Sequence, residues 1–139
     1  YQARGYRLVS RGEQFVESHA EHLQYVTLVG DPSKAKGMLE RHLPGALKAV
    51  STEDRYTFLL SARLWTDRVL ARGRRRLKIR LPEGPPRPDA RGESDVAALG
   101  EWFQEQAREI ASRFDARNGN DSFQRRIDAL PDLMRLAVD

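Results

Sequence analysis

Residues 51–81 read STEDRYTFLLSARLWTDRVLARGRRRLKIRL, and the fold turns on how this stretch is interpreted. It opens with the most apolar helical pattern in the chain and closes in the only dense cluster of positive charge. Ser51 suits an N-cap, and Asp54 stands three residues on, where a capping box places its acidic partner. Phe58, Ala62, Trp65 and Val69 follow at spacings of four, three and four, which puts them on one stripe at 100° per residue. Leu59 and Leu70 flank that stripe, and Tyr56, Leu60 and Leu64 make a second apolar patch. Apolar residues on two faces predict a central helix over 51–72, packed between neighbours. Only the wedge of Thr57, Ser61 and Arg68 is expected to face water. Gly73 suits the position just past the helix end, and Arg68 and Arg72 suit its last turn.

Beyond Gly73, Leu77, Ile79 and Leu81 alternate with Lys78 and Arg80, a short strand pattern ended by Pro82. A lone strand needs a partner. The segment LQYVTLVG at 23–30 is rich in β-branched and aromatic residues and offers an internal one around 25–29; another chain is the alternative. The same segment also reads as the end of a helix reaching Val29, which is the favoured reading. That helix starts near Ser10 and Glu13, a second capping-box pair, and turns Phe15, Val16, Ala20 and Leu23 to one side.

Asp31 and Pro32 begin a further helix with Ala35, Met38, Leu39, His42 and Leu43 inward. Pro44 and Gly45 end or kink it before one or two more turns through Val50. On the other side of the centre, residues 82–94 read PEGPPRPDARGES, whose prolines and glycines predict an internal linker or surface strap. Ser94 or Asp95 then caps an amphipathic helix. Val96, Leu99, Phe103, Ala107, Ile110 and Phe114 lie in its inner arc, with Glu101, Glu105, Arg108, Ser112 and Asp115 opposite. Asn118-Gly119-Asn120 ends it, and Asp121 or Ser122 starts a shorter helix carrying Phe123, Ile127 and Leu130. The expected architecture is mainly α: a compact bundle of about five helices with one short β element around 25–29 and 77–81. With 139 residues, the chain is expected to form a single domain.

Charge is local. Residues 72–80 hold Arg72, Arg74, Arg75, Arg76, Lys78 and Arg80; setting these six aside from the 24 basic residues leaves 18 against 20 acidic ones. Any anion-binding surface is therefore expected on this segment. Clustered guanidinium forks suit phosphate. In a strand, Lys78 and Arg80 would share one face beside Arg74, Arg75 and Arg76. The competing structural explanation is a solvated helix end with an edge strand protected by charge.

Several chemistries find no support. The chain has no cysteine, which excludes disulfides, thiolate nucleophiles and cysteine-ligated metal. His19 and His22 with His42 do not reach a zinc-ligand spacing, and no metal or cofactor is expected. Gly30 to Gly37, with Lys34 and Lys36, could draw phosphate to a helix start but lacks the glycine spacing and the GK[ST] ending of a P-loop. Glu101, Glu105 and Glu109 form an exposed ladder on a helix, and no nucleophile elbow or catalytic triad can be assembled from spacing. No base-reading motif is evident either.

The expectation is a non-enzymatic accessory module. It would contact the phosphate backbone of DNA or RNA through residues 72–80, within a larger protein or complex. The alternative is an assembly domain whose basic segment docks an acidic protein partner or a neighbouring subunit. No membrane span or signal peptide is visible, and a cytoplasmic location is expected. Tyr1 in place of an initiator Met suggests a piece of a longer protein.

Overall fold

The computed structural model describes residues 16–30 and 32–136. Among these residues the helices are α1 (Val16–Val29), α2 (Pro32–Leu47), α3 (Thr52–Ala71), α4 (Val96–Asn118), α5 (Ser122–Asp128) and the single-turn α6 (Leu130–Met134). Between α3 and α4 lie β1 (Arg76–Leu77) and β2 (Ser94–Asp95), which form a two-stranded antiparallel sheet. The fold is thus the expected mainly helical bundle with a small β element. The capping pair at Ser10 and Glu13 and the N-cap at Asp31 lie outside the described residues.

The reason α3 is central is that it is apolar almost all round, so water can satisfy little of its surface. It packs most extensively on α4 and α1, and also on α2 and α6. Tyr56, Phe58, Leu64 and Trp65 are all at most 1% exposed. Its start and end follow from local chemistry. The Ser51 hydroxyl accepts a hydrogen bond from the Asp54 N–H at 3.2 Å, which satisfies a helix-end donor. At the other end, Gly73 takes φ +85°. The Gly73 N–H then donates to the Leu70 carbonyl at 2.9 Å and the Arg74 N–H to the Val69 carbonyl at 3.2 Å. This is the paired closure of a Schellman motif, and a side chain at 73 would strain it.

The wedge expected to be wet is not. Ser61 and Arg68 are both 3% exposed, because α1 lies across that face. The Ser61 hydroxyl donates to the Ala20 carbonyl of α1 at 2.9 Å, and Thr57, half-buried, donates to Glu53 O within its own helix at 3.0 Å. On the α4 side, the crossing is so close that a Cβ at Gly100 would lie 2.5 Å from Thr66 Oγ1. Thr66 is fully buried and its hydroxyl is held by the Arg63 carbonyl at 2.7 Å.

Residues 25–29 are helical, as favoured, so they are not the strand partner. Leu23, Val26 and Thr27 are buried, and a helical course puts all three on the side that meets the core. The actual partner is Ser94–Asp95, with Arg76 opposite Asp95 and Leu77 opposite Ser94. The strand is also shorter than the 77–81 pattern implied. From Lys78 onward, side chains of α2 take over its backbone: the Lys36 ammonium donates to the Lys78 carbonyl at 2.9 Å, and the Glu40 carboxylate accepts from the Arg80 N–H at 2.7 Å. The alternation persists without a strand partner, with Leu77 and Ile79 buried and Lys78 and Arg80 exposed. Similarly, α2 runs through Pro44 to Leu47 rather than ending there.

The α4 stripe is buried from Val96 to Ile110 and partly buried at Phe114, but Asp115, placed on the wet side, is 7% exposed. Its two carboxylate oxygens accept the backbone N–H groups of Phe123 and Gln124, each at 3.0 Å. These are orphan donors of the first turn of α5, whose own N-cap residue Asp121 makes no side-chain cap bond. Buried hydroxyls at Thr27 and Ser94 have no hydrogen-bond partner among the described residues.

Candidate polyanion-binding surface

The Schellman closure at Gly73 turns the chain off the end of α3 and releases residues 74–80 along the flank of the bundle. The burial alternation then decides where the charges go. Leu77 and Ile79 anchor the segment, and Arg72, Arg74, Arg75, Arg76, Lys78 and Arg80 are all exposed. The structure therefore brings the six cations named from the sequence onto one exposed strip.

They are not equivalent. Arg76 pairs with Asp89 at 3.1 Å and lies 3.9 Å from Asp95. Asp89 is itself an organising residue of the proline-rich segment: one carboxylate oxygen accepts from the N–H groups of Arg91 at 2.8 Å and Glu93 at 3.0 Å. Those two backbone donors, Glu93 first, hold its carboxyl below the usual carboxylate range, and Arg76 adds to the effect. The same segment buries Pro85 and brings Gly84 against Trp102. Arg76 is thus committed to bracing residues 89–95. Among the described residues, Arg72, Arg74, Arg75, Lys78 and Arg80 form no ion pair.

Beside the strip is a cleft of about 340 Å³. Trp65, Val69 and Leu77 form its apolar lining, and Arg74 and Lys78 reach it from the strip. Two further groups belong to it that the strip does not contain, Lys36 from α2 and Glu93 from the residue preceding β2. In the sequence, Lys36 reads only as a cation near a helix start. Its arrival 42 positions from Lys78 rests on the α2 contact to the 78–80 backbone, which sequence spacing does not reveal.

The histidines and the glutamate ladder lie elsewhere. His19 and His42 stack at 3.9 Å between ring centroids, with an interplanar angle of 22°, and both are buried. Burial pushes the His42 pKa down to about 4, with positive charge at His19, Arg41 and His22 adding to the shift. Among the described residues, no group of three or more His, Asp and Glu side chains is placed to hold a metal ion. In the glutamate ladder, Glu109 pairs with Arg113 at 3.0 Å, Glu101 lies 3.8 Å from Arg63, and Glu105 is exposed. No helix among the described residues is long and apolar enough to cross a membrane. Comparison with protein-family models, with curated proteins and with solved structures gives no match.

Proposed function

We propose that the protein is a non-enzymatic binding module that holds a nucleic-acid phosphate backbone along residues 72–80. The observation that carries this reading is the division within the cluster. One arginine of six is used internally, while the other five cations are exposed and form no ion pair among the described residues. Exposed like charges repel one another, so the cluster is electrostatically unfavourable while no anion is bound. A polyanion relieves that repulsion and releases its own counterions on binding. Guanidinium forks at 72, 74 and 75 suit phosphate oxygens, and the ammonium of Lys78 adds a point charge.

The test is fluorescence anisotropy with duplex DNA, single-stranded DNA and structured RNA across a salt series. Saturable binding is expected, with log K falling by roughly 0.7–0.9 per contacted phosphate for each log unit of salt. The Arg74→Ala/Arg75→Ala variant should bind more weakly and lower that slope by about two contacts. Arg76 stays intact in this variant because its loss would disturb residues 89–95 as well. Absence of binding to all three polymers at low salt would overturn the reading and turn attention to acidic protein partners.

A further inference from the structure

The cleft beside the strip narrows the class of polymer. A surface that only counts phosphates needs cations and nothing more. Here Arg74 and Lys78 stand with Lys36 around an apolar lining of Trp65, Val69 and Leu77. A duplex keeps its bases stacked and presents phosphates outward, so it has no apolar face to lay on that largely buried lining. A single strand can turn a base out, and an apolar floor rimmed by cations matches a nucleotide, whose base is apolar on its faces and whose phosphates are charged.

Glu93 sharpens the match. A carboxylate among three cations opposes a simple anion such as inorganic phosphate, but it accepts hydrogen bonds, and the edge of a base carries N–H donors. The volume of about 340 Å³ lies at the small end of the range for ligand sites and suits a single nucleotide unit. Lys36 is also oriented, since its ammonium is tied to the Lys78 carbonyl at 2.9 Å and still lines the cleft.

We propose that this cleft seats one unpaired base of a single-stranded nucleic acid, with the neighbouring phosphates held by Lys36, Arg74 and Lys78 and the base edge met by Glu93. The inference rests on the backbone-binding reading and adds to it the strandedness of the polymer and a site outside residues 72–80. The experiment compares the full chain's affinity for a single-stranded oligonucleotide and for an abasic strand of equal length, which keeps every phosphate and removes the bases. The base-bearing strand should bind about tenfold more tightly. Val69→Trp, which fills the floor from α3, should erase that preference, and its thermal unfolding profile shows whether the variant is folded. Since Val69 is buried, Lys36→Gln provides a second variant on the cleft rim; it should weaken both strands several-fold and lower the salt slope by about one contact. Equal affinity for the two strands, or a Lys36→Gln variant indistinguishable from the parent, would overturn the base seat while leaving the backbone reading standing. Failure to bind either strand would overturn the base seat, and the backbone reading would fall with it only if duplex DNA and structured RNA also failed to bind. A nucleoside monophosphate that competes as strongly as the strand would overturn the polymer assignment.

Discussion

The seam where α3 meets α1 and α4 and the strip that leaves the end of α3 treat polar groups in opposite ways. Within the seam, Ser61 bonds the Ala20 carbonyl and Thr66 bonds Arg63, and elsewhere on α4 the buried Asp115 spends both oxygens on the start of α5. Within the strip, five of six cations face water without an ion-pair partner among the described residues. Burial explains the difference. A polar atom removed from water needs a protein partner, whereas an exposed ammonium or guanidinium is satisfied by solvent until something better arrives. Charge count therefore says little about function until each charge is assigned a partner. Changes in the seam should move stability, and changes in the strip should move binding.

The largest effect expected is at Gly100. Its position allows α4 to approach α3 so closely that any Cβ meets Thr66 Oγ1 at 2.5 Å, and Thr66 is buried, β-branched and already bonded. Gly100→Val should lower unfolding free energy by about 3 kcal/mol, measured by urea denaturation. Gly100→Ala should cost less, because alanine favours a helix by up to ~1 kcal/mol over glycine. Should Gly100→Val leave the denaturation midpoint unchanged, the two helices do not meet this closely.

A second test concerns the stacked pair His19 and His42. The His42 pKa lies at about 4 in the folded chain, below the ordinary value of 6.5, chiefly through burial and then through His19, Arg41 and His22. The unfolded chain therefore takes up the proton first as pH falls. The stability this group contributes is complete above pH 6.5 and is lost on acidification toward pH 4. Between pH 7.5 and 5 the loss should reach about 2 kcal/mol. In His42→Gln the pH dependence over that window should shrink by a similar amount. An unchanged pH profile in the variant would mean that His42 titrates normally in the fold.

What was legible follows the same division. The α3 stripe, the Ser51 cap, the Gly73 closure and the inner arc of α4 all depend on residues within a turn or two of each other, and periodicity exposes such features. The six cations were visible because they are contiguous. The strand partner was misassigned between 25–29 and 94–95 because β-branched composition speaks of propensity, while pairing depends on which segments the helices leave side by side. Ser61, Arg68 and Asp115 were misplaced for a related reason: on a helix covered on several sides, a polar residue does not mark the wet face. Glu93 is ordinary in its own segment, and Lys36 reads there only as a cation near a helix start, so neither points to the cleft. Only the α2 contact with residues 78–80 and the approach to β2 bring them to the cleft.

The smallest effect draws the sharpest line between the two regions, because it separates arginines two positions apart. Arg76 braces Asp89 and Asp95, while Arg74 faces the cleft without an ion-pair partner among the described residues. The Arg76 pair is exposed to solvent, so its loss in Arg76→Ala should barely move the denaturation midpoint, and less still at high salt. Its clearer signature should be local, as faster amide hydrogen exchange at Arg91 and Glu93, whose N–H groups depend on the placement of Asp89. Arg74→Ala should leave both stability and that exchange unchanged and act on polymer affinity alone. If the two substitutions behaved alike in exchange and in binding, the cluster would be one undifferentiated patch, and the distinction between a bracing arginine and a binding one would fail.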